Sequence, residues 1–405
     1  MTSAASASPA GDAAVLRLAD LPMADSRSAA CAILRDAGPV ARDSNGWYMI
    51  TSAEAAEFAL RHPDLFSSRQ AFDRIGSPLP LVPIAFDPPE HTRYRRILQP
   101  FFSRAGIASW LPVVHGLAGE LIDDLAGRGE CDLVADLAVP LPAQVFLSLF
   151  GLPPGDRERL ITWKDALHAA AAAMEDGDDT SPPEEAVRIG AEFYEYITHH
   201  ISRRKQADTA AGLLGRLLAD TSEQRLSEEE ILGLSFLFVL AGLSTVTSAL
   251  STAFAILAAQ PRMREEITAD PAAIPRAVEE LLRVDGPVVF VLRVATRDVE
   301  LGGHVIPAGS HVGISLLAAD RDPAKHHDPD AIDFRRQEPH LAFGVGPHRC
   351  LGSHLARMEM RVVVEEWHRR IPHYELAPGV SPRVAWPAAH IGVPSLPLVF
   401  PASGR

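Results

Sequence analysis

A chain of 405 residues with 47% hydrophobic and 22% charged residues has a globular composition and enough length for a large buried core, which excludes a disordered or fibrous protein. Lys and Arg total 38 against 52 Asp and Glu; the formal net charge of −14 disfavours general binding to nucleic acid or to a membrane surface. Three scattered cysteines, Cys31, Cys131 and Cys350, form no disulfide framework and point to a reducing, cytoplasmic setting.

Residues 1–15 read as a flexible Ala/Ser tail without the pattern of a secretory signal, and 16–405 as one large domain. Gly46 to Thr51 is strand-like. Asp87-Pro88-Pro89-Glu90 has the form of a helix start, Asp as cap and Pro at the first helical position. Glu175 to Glu185 is an acidic, Pro-containing connection between two helical stretches, readable as a solvated loop or as a lid over a pocket. Apolar residues at three- and four-residue spacing predict helices over Leu213 to Asp220, Ser227 to Gln260, Pro275 to Val284 and Leu351 to Arg370. Ser227 with Glu230 is a capping box opening the second of these. Ile231 to Pro261 carries no charge, yet Ser235, Ser244, Thr245, Thr247, Ser248, Ser251 and Thr252 interrupt it, which suits a core helix better than a membrane span. Val288 to Ala295 and His311 to Ser315 are further strands. The pattern is mainly α with a smaller β region.

Residues 343–352, FGVGPHRCLG, are the most informative ten in the chain. Gly344, Gly346 and Pro347 favour a fixed tight loop, and Cys350 falls at the mouth of the following helix, where unpaired N–H groups and the helix dipole favour an anion. His348 and Arg349 add positive charge, so the sequence predicts a cysteine held as thiolate by its position.

This loop resembles the haem-binding signature of the cytochrome P-450 superfamily, Phe-x-x-Gly-x-His/Arg-x-Cys-x-Gly, through Phe343, Gly346, His348, Cys350 and Gly352. The resemblance implies haem b with Cys350 as axial thiolate, and a long central helix over the haem. Glu280 and Arg283, seventy residues before the cysteine, match the family's Glu-x-x-Arg pair. The family's third arginine has no counterpart at its usual place after His327-Asp328-Pro329-Asp330, leaving Arg335 or Arg336. His91 and Arg95, one helical turn apart, with Arg293 and His348, are the implied haem-propionate partners; Phe343, Gly344 and Gly352 complete the cofactor contacts. In Ala241-Gly242-Leu243-Ser244-Thr245, Gly242 is implied to leave space and Thr245 to position dioxygen and its protons. Ser244 stands where members normally carry an acid.

The function implied is monooxygenation of an apolar small organic substrate, using O2 and electrons from NAD(P)H through a ferredoxin reductase and ferredoxin. The alternatives are a peroxide-driven oxidase, suggested by Ser244, and a non-catalytic haem sensor. The expected pocket comprises Phe72, Phe238, Leu240, Ala241, Val288, Val289, His390 and Ile391. Arg93, Arg96 and Arg104, with Arg357 and Arg361 on the helix after the cysteine, form a basic island in an acidic chain and the expected face for an acidic ferredoxin.

Overall fold

The computed structural model describes residues 13–69, 71–72, 79–176, 184–207, 210–388 and 390–402. Most of the 175–185 connection and part of the 69–83 segment therefore lie outside the described residues.

The architecture is mainly helical with three small sheets. The predicted helices are present as Gly212–Leu218, Glu228–Ala259, Ile274–Val284 and Ser353–Arg370. Ser227 opens the longest with the predicted capping box: its hydroxyl accepts from Glu230 N, and Glu230 Oε2 accepts from Ser227 N.

Glu228–Ala259 runs through the core, which is why it carries no charge beyond its first turn; a helix apolar all round must be surrounded by protein or lipid. By length and composition it could cross a membrane, yet half of its most apolar window is buried inside the protein. Its hydroxyls cost little there because they find carbonyls: Ser235 donates to Ile231 O at 2.7 Å, Thr252 to Ser248 O at 3.0 Å and Thr247 to Ala138 O at 2.8 Å. At Gly233 the chain crosses so closely that a Cβ would sit 1.9 Å from Pro80 O, so only glycine fits.

The largest sheet has six strands in the order Val15–Leu16, Val40–Asp43, Tyr48–Ile50, His311–Ser315, Phe290–Ala295, Phe66–Ser67. Val15, assigned to the tail by sequence, pairs with Arg42 at the sheet edge. A second apolar cluster lies between this sheet and helix Ala53–Arg61. The main cluster fills the space among the helices.

Helix Glu90–Phe102 departs from expectation at its start. Asp87 does not cap it; the Asp87 carboxylate accepts from Ser67 Oγ and from Ser68 N at 2.9 Å. A long-range demand for an acceptor at the end of strand Phe66–Ser67 overrides the local capping preference.

Candidate active site

The cysteine loop is a tight turn of the kind its glycines predict. Gly344 and Gly346 have φ of +62° and +74°, and a Cβ on Gly346 would meet Leu60 O at 2.4 Å. Cys350 N donates to Phe343 O at 2.9 Å, and the next helix begins at Ser353 with Gly352 as its cap. The Phe343 ring lies 4.2 Å beneath the Arg357 guanidinium. Cys350 exposes its surface, although protein encloses it on all sides: it lines an interior void. Burial pushes its thiol up, and the Gly352 N–H, Arg95, Arg357 and Arg349 only partly offset this. Position alone therefore does not make the expected thiolate; a bound cation must supply the rest.

Beside the loop, His91, Arg95, Arg293 and His348 converge. The His91 and His348 rings have centroids 4.0 Å apart. His348 Nε2 is 3.3 Å from Ser68 Oγ, while His91 Nε2 is buried with no hydrogen-bond partner. Arg95 donates to Arg349 O at 2.8 Å. Arg293 is 5% exposed, yet among the described residues its guanidinium reaches only the Leu292 carbonyl, at 2.6 Å. Burial lowers all four of these groups, His91 to about 4, His348 to about 2, Arg293 to about 10 and Arg95 as well, with repulsion from neighbouring cations adding for the two histidines and Arg95. Asp87, 4.0 Å from His348, is the one carboxylate acting on Arg293, and it does not bond to that guanidinium among the described residues; a buried cation so placed, beside an imidazole nitrogen without a partner, suits an anion.

The middle of Glu228–Ala259 carries a bare face. Ala241 and Gly242 are exposed within this core helix, and a Cβ on Gly242 would meet nothing within 4 Å. Thr245 Oγ1 donates to Ala241 O at 2.8 Å; Ser244 is half-buried. A thiol beside a carboxylate-seeking cradle, together with an open face on the core helix, fits a flat macrocycle bearing acidic groups.

Glu280 and Arg283 form a buried bidentate pair at 2.8 and 2.9 Å. The third partner is Arg336, its side chain 9% exposed; Arg335, 83% exposed, pairs only with Asp333. Sequence could not choose between neighbours that differ only in which way the chain turns.

The pocket expectation divides. Phe72, Leu240 and Val288 are half-buried, as is His390, whose backbone bridges to Val288. Val289 and Ile391 are 1% and 0% exposed, hence core and not lining. Phe238 packs its ring against Phe102 and Phe150, at 5.3 and 5.6 Å, in the seam between helices. His168, on helix Arg157–Asp176, went unnoticed: its Nε2 is 3.1 Å from Leu240 O and its ring 5.5 Å from that of His390. A lone histidine in an Ala-rich helix gives no signal until the fold supplies its neighbour.

The basic island also divides. Arg93 is bound to Glu230 at 2.7 Å and to the Gln224 and Arg225 carbonyls, and Arg357 is bound to Glu279 at 2.6 and 2.7 Å, so intramolecular carboxylates already neutralise both. Arg96, Arg104 and Arg361 have no carboxylate partner among the described residues, and Arg96 and Arg104 are exposed.

The Cytochrome P450 family model matches residues 44–376. A probable cytochrome P450 127A1 of Sinorhizobium fredii is 33% identical over 376 residues, 90% of this chain and 88% of its own. A steroid C26-monooxygenase of Mycolicibacterium smegmatis is 32% identical over 369 residues, 90% of each chain. Among solved structures, a mutant of P450 EryK in complex with erythromycin B superposes with a TM-score of 0.82 at 30% identity, covering 93% of this chain and 96% of that one. CxnD, a P450 enzyme for C–S bond formation in chuangxinmycin biosynthesis, superposes at 0.85 with 28% identity, covering 97% and 99%. The chain belongs to the cytochrome P450 family. It is a P450 monooxygenase whose cofactor is haem b, acting on an organic substrate with O2 and a redox partner.

Proposed function

We propose that this monooxygenase works in the cytoplasm with a ferredoxin and an NAD(P)H-dependent ferredoxin reductase, on a small and largely apolar organic substrate. The observation that carries this is the convergence of Cys350 with the His91–Arg95–Arg293–His348 cradle, in a chain whose core helix is left bare at Ala241 and Gly242. Haem, when bound, supplies the oxygen-binding and oxidising chemistry, to which a thiolate ligand lends electron density.

The chain's own residues have separable tasks. Cys350 would hold the haem iron through its sulfur, with the Gly352 N–H directed at that sulfur. His91, Arg95, Arg293 and His348 take the propionates through charge-assisted hydrogen bonds, which relieves the buried Arg293. Phe343, fixed under Arg357, and Gly344 shape the loop against the ring. Gly242 leaves room for the reacting molecules. The Thr245 hydroxyl, now donating to Ala241 O, reaches the open face by turning to another staggered rotamer, and so holds a proton next to the oxygen side. Ser244 relays a proton through its hydroxyl but stores no charge at neutral pH. That serine favours a second reading, in which peroxide is the better oxidant. Arg96, Arg104 and Arg361, with exposed Arg349, are the cations left to meet an acidic ferredoxin.

Reduced protein with carbon monoxide is expected to show the red-shifted Soret band of thiolate-ligated haem, lost in Cys350→His. NADPH consumption with ferredoxin and reductase, compared with turnover on peroxide alone, separates the two readings. A wild-type Soret band at the position of histidine-ligated haem overturns the assignment of Cys350.

A further inference from the structure

We infer that His168 and His390 together anchor a neutral group that both donates and accepts hydrogen bonds, a hydroxyl or a carboxamide, at one end of an otherwise apolar substrate. This rests on the monooxygenase reading of the cavity and adds to it the chemistry of the substrate's polar end.

The two rings come from segments far apart in the sequence. His168 lies on helix Arg157–Asp176, and His390 is fixed by its bridge to Val288 and by Ile391 N donating to Pro287 O at 2.9 Å. Their centroids are 5.5 Å apart with the planes at 80°. Both are half-buried, and His168 is bonded to the carbonyl of Leu240, the residue before the bare Ala241 and Gly242, which sets the pair beside that helix face.

The hydrogen-bond arithmetic then selects the ligand. Leu240 O can only accept, so Nε2 of His168 carries the hydrogen and Nδ1 is left as an acceptor, without a partner among the described residues. Neither nitrogen of His390 has a hydrogen bond among the described residues, and one of them must be a donor. Burial, then each other's proximity or Lys164, holds both rings neutral, His390 at about 4. The pair therefore presents an acceptor that needs a donor beside a ring that supplies either. A hydroxyl or carboxamide satisfies both at once. A hydrocarbon leaves them unpaired, and a carboxylate offers no hydrogen to His168 Nδ1. A site built this way rejects an analogue lacking the polar group more strongly than it rejects a missing methylene.

Haem-coordinating probes test this without turnover. A series of 1-alkylimidazoles, four to ten carbons long and ended by methyl, hydroxyl, carboxamide or carboxylate, is titrated against the holoenzyme by the Soret shift. At the best chain length, the hydroxyl- or carboxamide-ended probe is expected to bind about tenfold tighter than the methyl-ended one. His168→Phe and His390→Phe are each expected to erase that preference by weakening the hydroxyl- and carboxamide-ended probes, the methyl-ended probe binding at least as tightly as to the wild type, and His390→Gln to retain part of it. Equal affinity of all ends at every length in the wild type, a preference for carboxylate, or an undiminished hydroxyl preference in a folded variant overturns the anchor. No Soret shift with imidazole itself would instead overturn the haem-thiolate reading.

Discussion

Arg336 Nε donates to Glu280 Oε1 at 3.1 Å, the same oxygen that accepts from Arg283 and from the Asp333 N–H at 3.0 Å. One carboxylate thus binds two guanidiniums in a dry interior, and the guanidiniums gather the carbonyls of Asp320, Pro329, Ala331, His327 and Asp328. This ties the segment before the cysteine loop to helix Ile274–Val284.

Removing Arg336 leaves Glu280 short of one cation and orphans the His327 and Asp328 carbonyls. Arg336→Ala is expected to lower stability by about 3 kcal/mol and to loosen haem retention. Arg335→Ala, losing only an exposed pair, is expected to change stability by less than about 0.5 kcal/mol. Denaturant unfolding followed by Soret absorbance distinguishes them; equal effects would remove Arg336 from the network.

The docking proposal narrows to cations without a carboxylate partner among the described residues. Arg96→Glu combined with Arg361→Glu is expected to cut the ferredoxin-driven rate by about tenfold or more at low ionic strength, and the deficit should shrink as salt screens the wild type. Arg93→Gln, whose parent charge is already taken by Glu230, should leave the salt slope unchanged. Stopped-flow reduction at several salt concentrations reads both, and an unaltered slope in the double variant places docking elsewhere.

The proposed role of Ser244 in proton supply is open to a direct test. General acid assistance is typically worth about 10²–10⁴ in rate. Ser244→Asp is expected to raise the ferredoxin-driven rate at least severalfold and tighten coupling to NADPH, with little effect on a peroxide-driven rate. An unchanged rate and coupling would mean protons reach the site by another route.

Acid and base should destabilise the fold through different groups. His368, held by Val364 O and Tyr374, and His326, without a partner for either nitrogen, are both depressed to about 4, chiefly by burial, with Arg264 adding for His368 and Arg283, Lys325 and Arg336 for His326. The unfolded chain protonates these near pH 6.5 and the folded one only near 4. Their stabilising effect is therefore complete above about pH 6.5 and falls between 6.5 and 4, by up to about 1.4 kcal/mol per pH unit for each. Glu359 runs the other way: burial raises it to about 8, and its Oε2 has no partner. The folded chain keeps that proton where the unfolded one loses it above about 4.5, so stability declines from there toward pH 8. Glu359→Gln is expected to stabilise progressively more from pH 5 to pH 8. Thermal unfolding across this range measures it, and a pH-independent difference would show that Glu359 is not protonated in the fold.

What the sequence determined by itself was local or motif-borne. Helical spacing and the Ser227–Glu230 box located Glu228–Ala259 almost to the residue, because capping and periodicity act within one turn. The ten residues around Cys350 determined the loop that carries it, because glycines at positive φ are required there whatever surrounds them. Tertiary structure alone decided everything that depends on which distant groups meet. It took Arg93 and Arg357 out of the basic surface by giving them Glu230 and Glu279, and it used Asp87 on Ser67 and Ser68 in place of a cap. It chose Arg336 over Arg335, sent Val289 and Ile391 into the core beside Val288 and His390, and set His168 against Leu240. The physical reason is common to these cases. A charged or polar side chain must find a partner when it is desolvated, and the partner is chosen by the path of the chain through space, over separations of tens to hundreds of residues that no local pattern records.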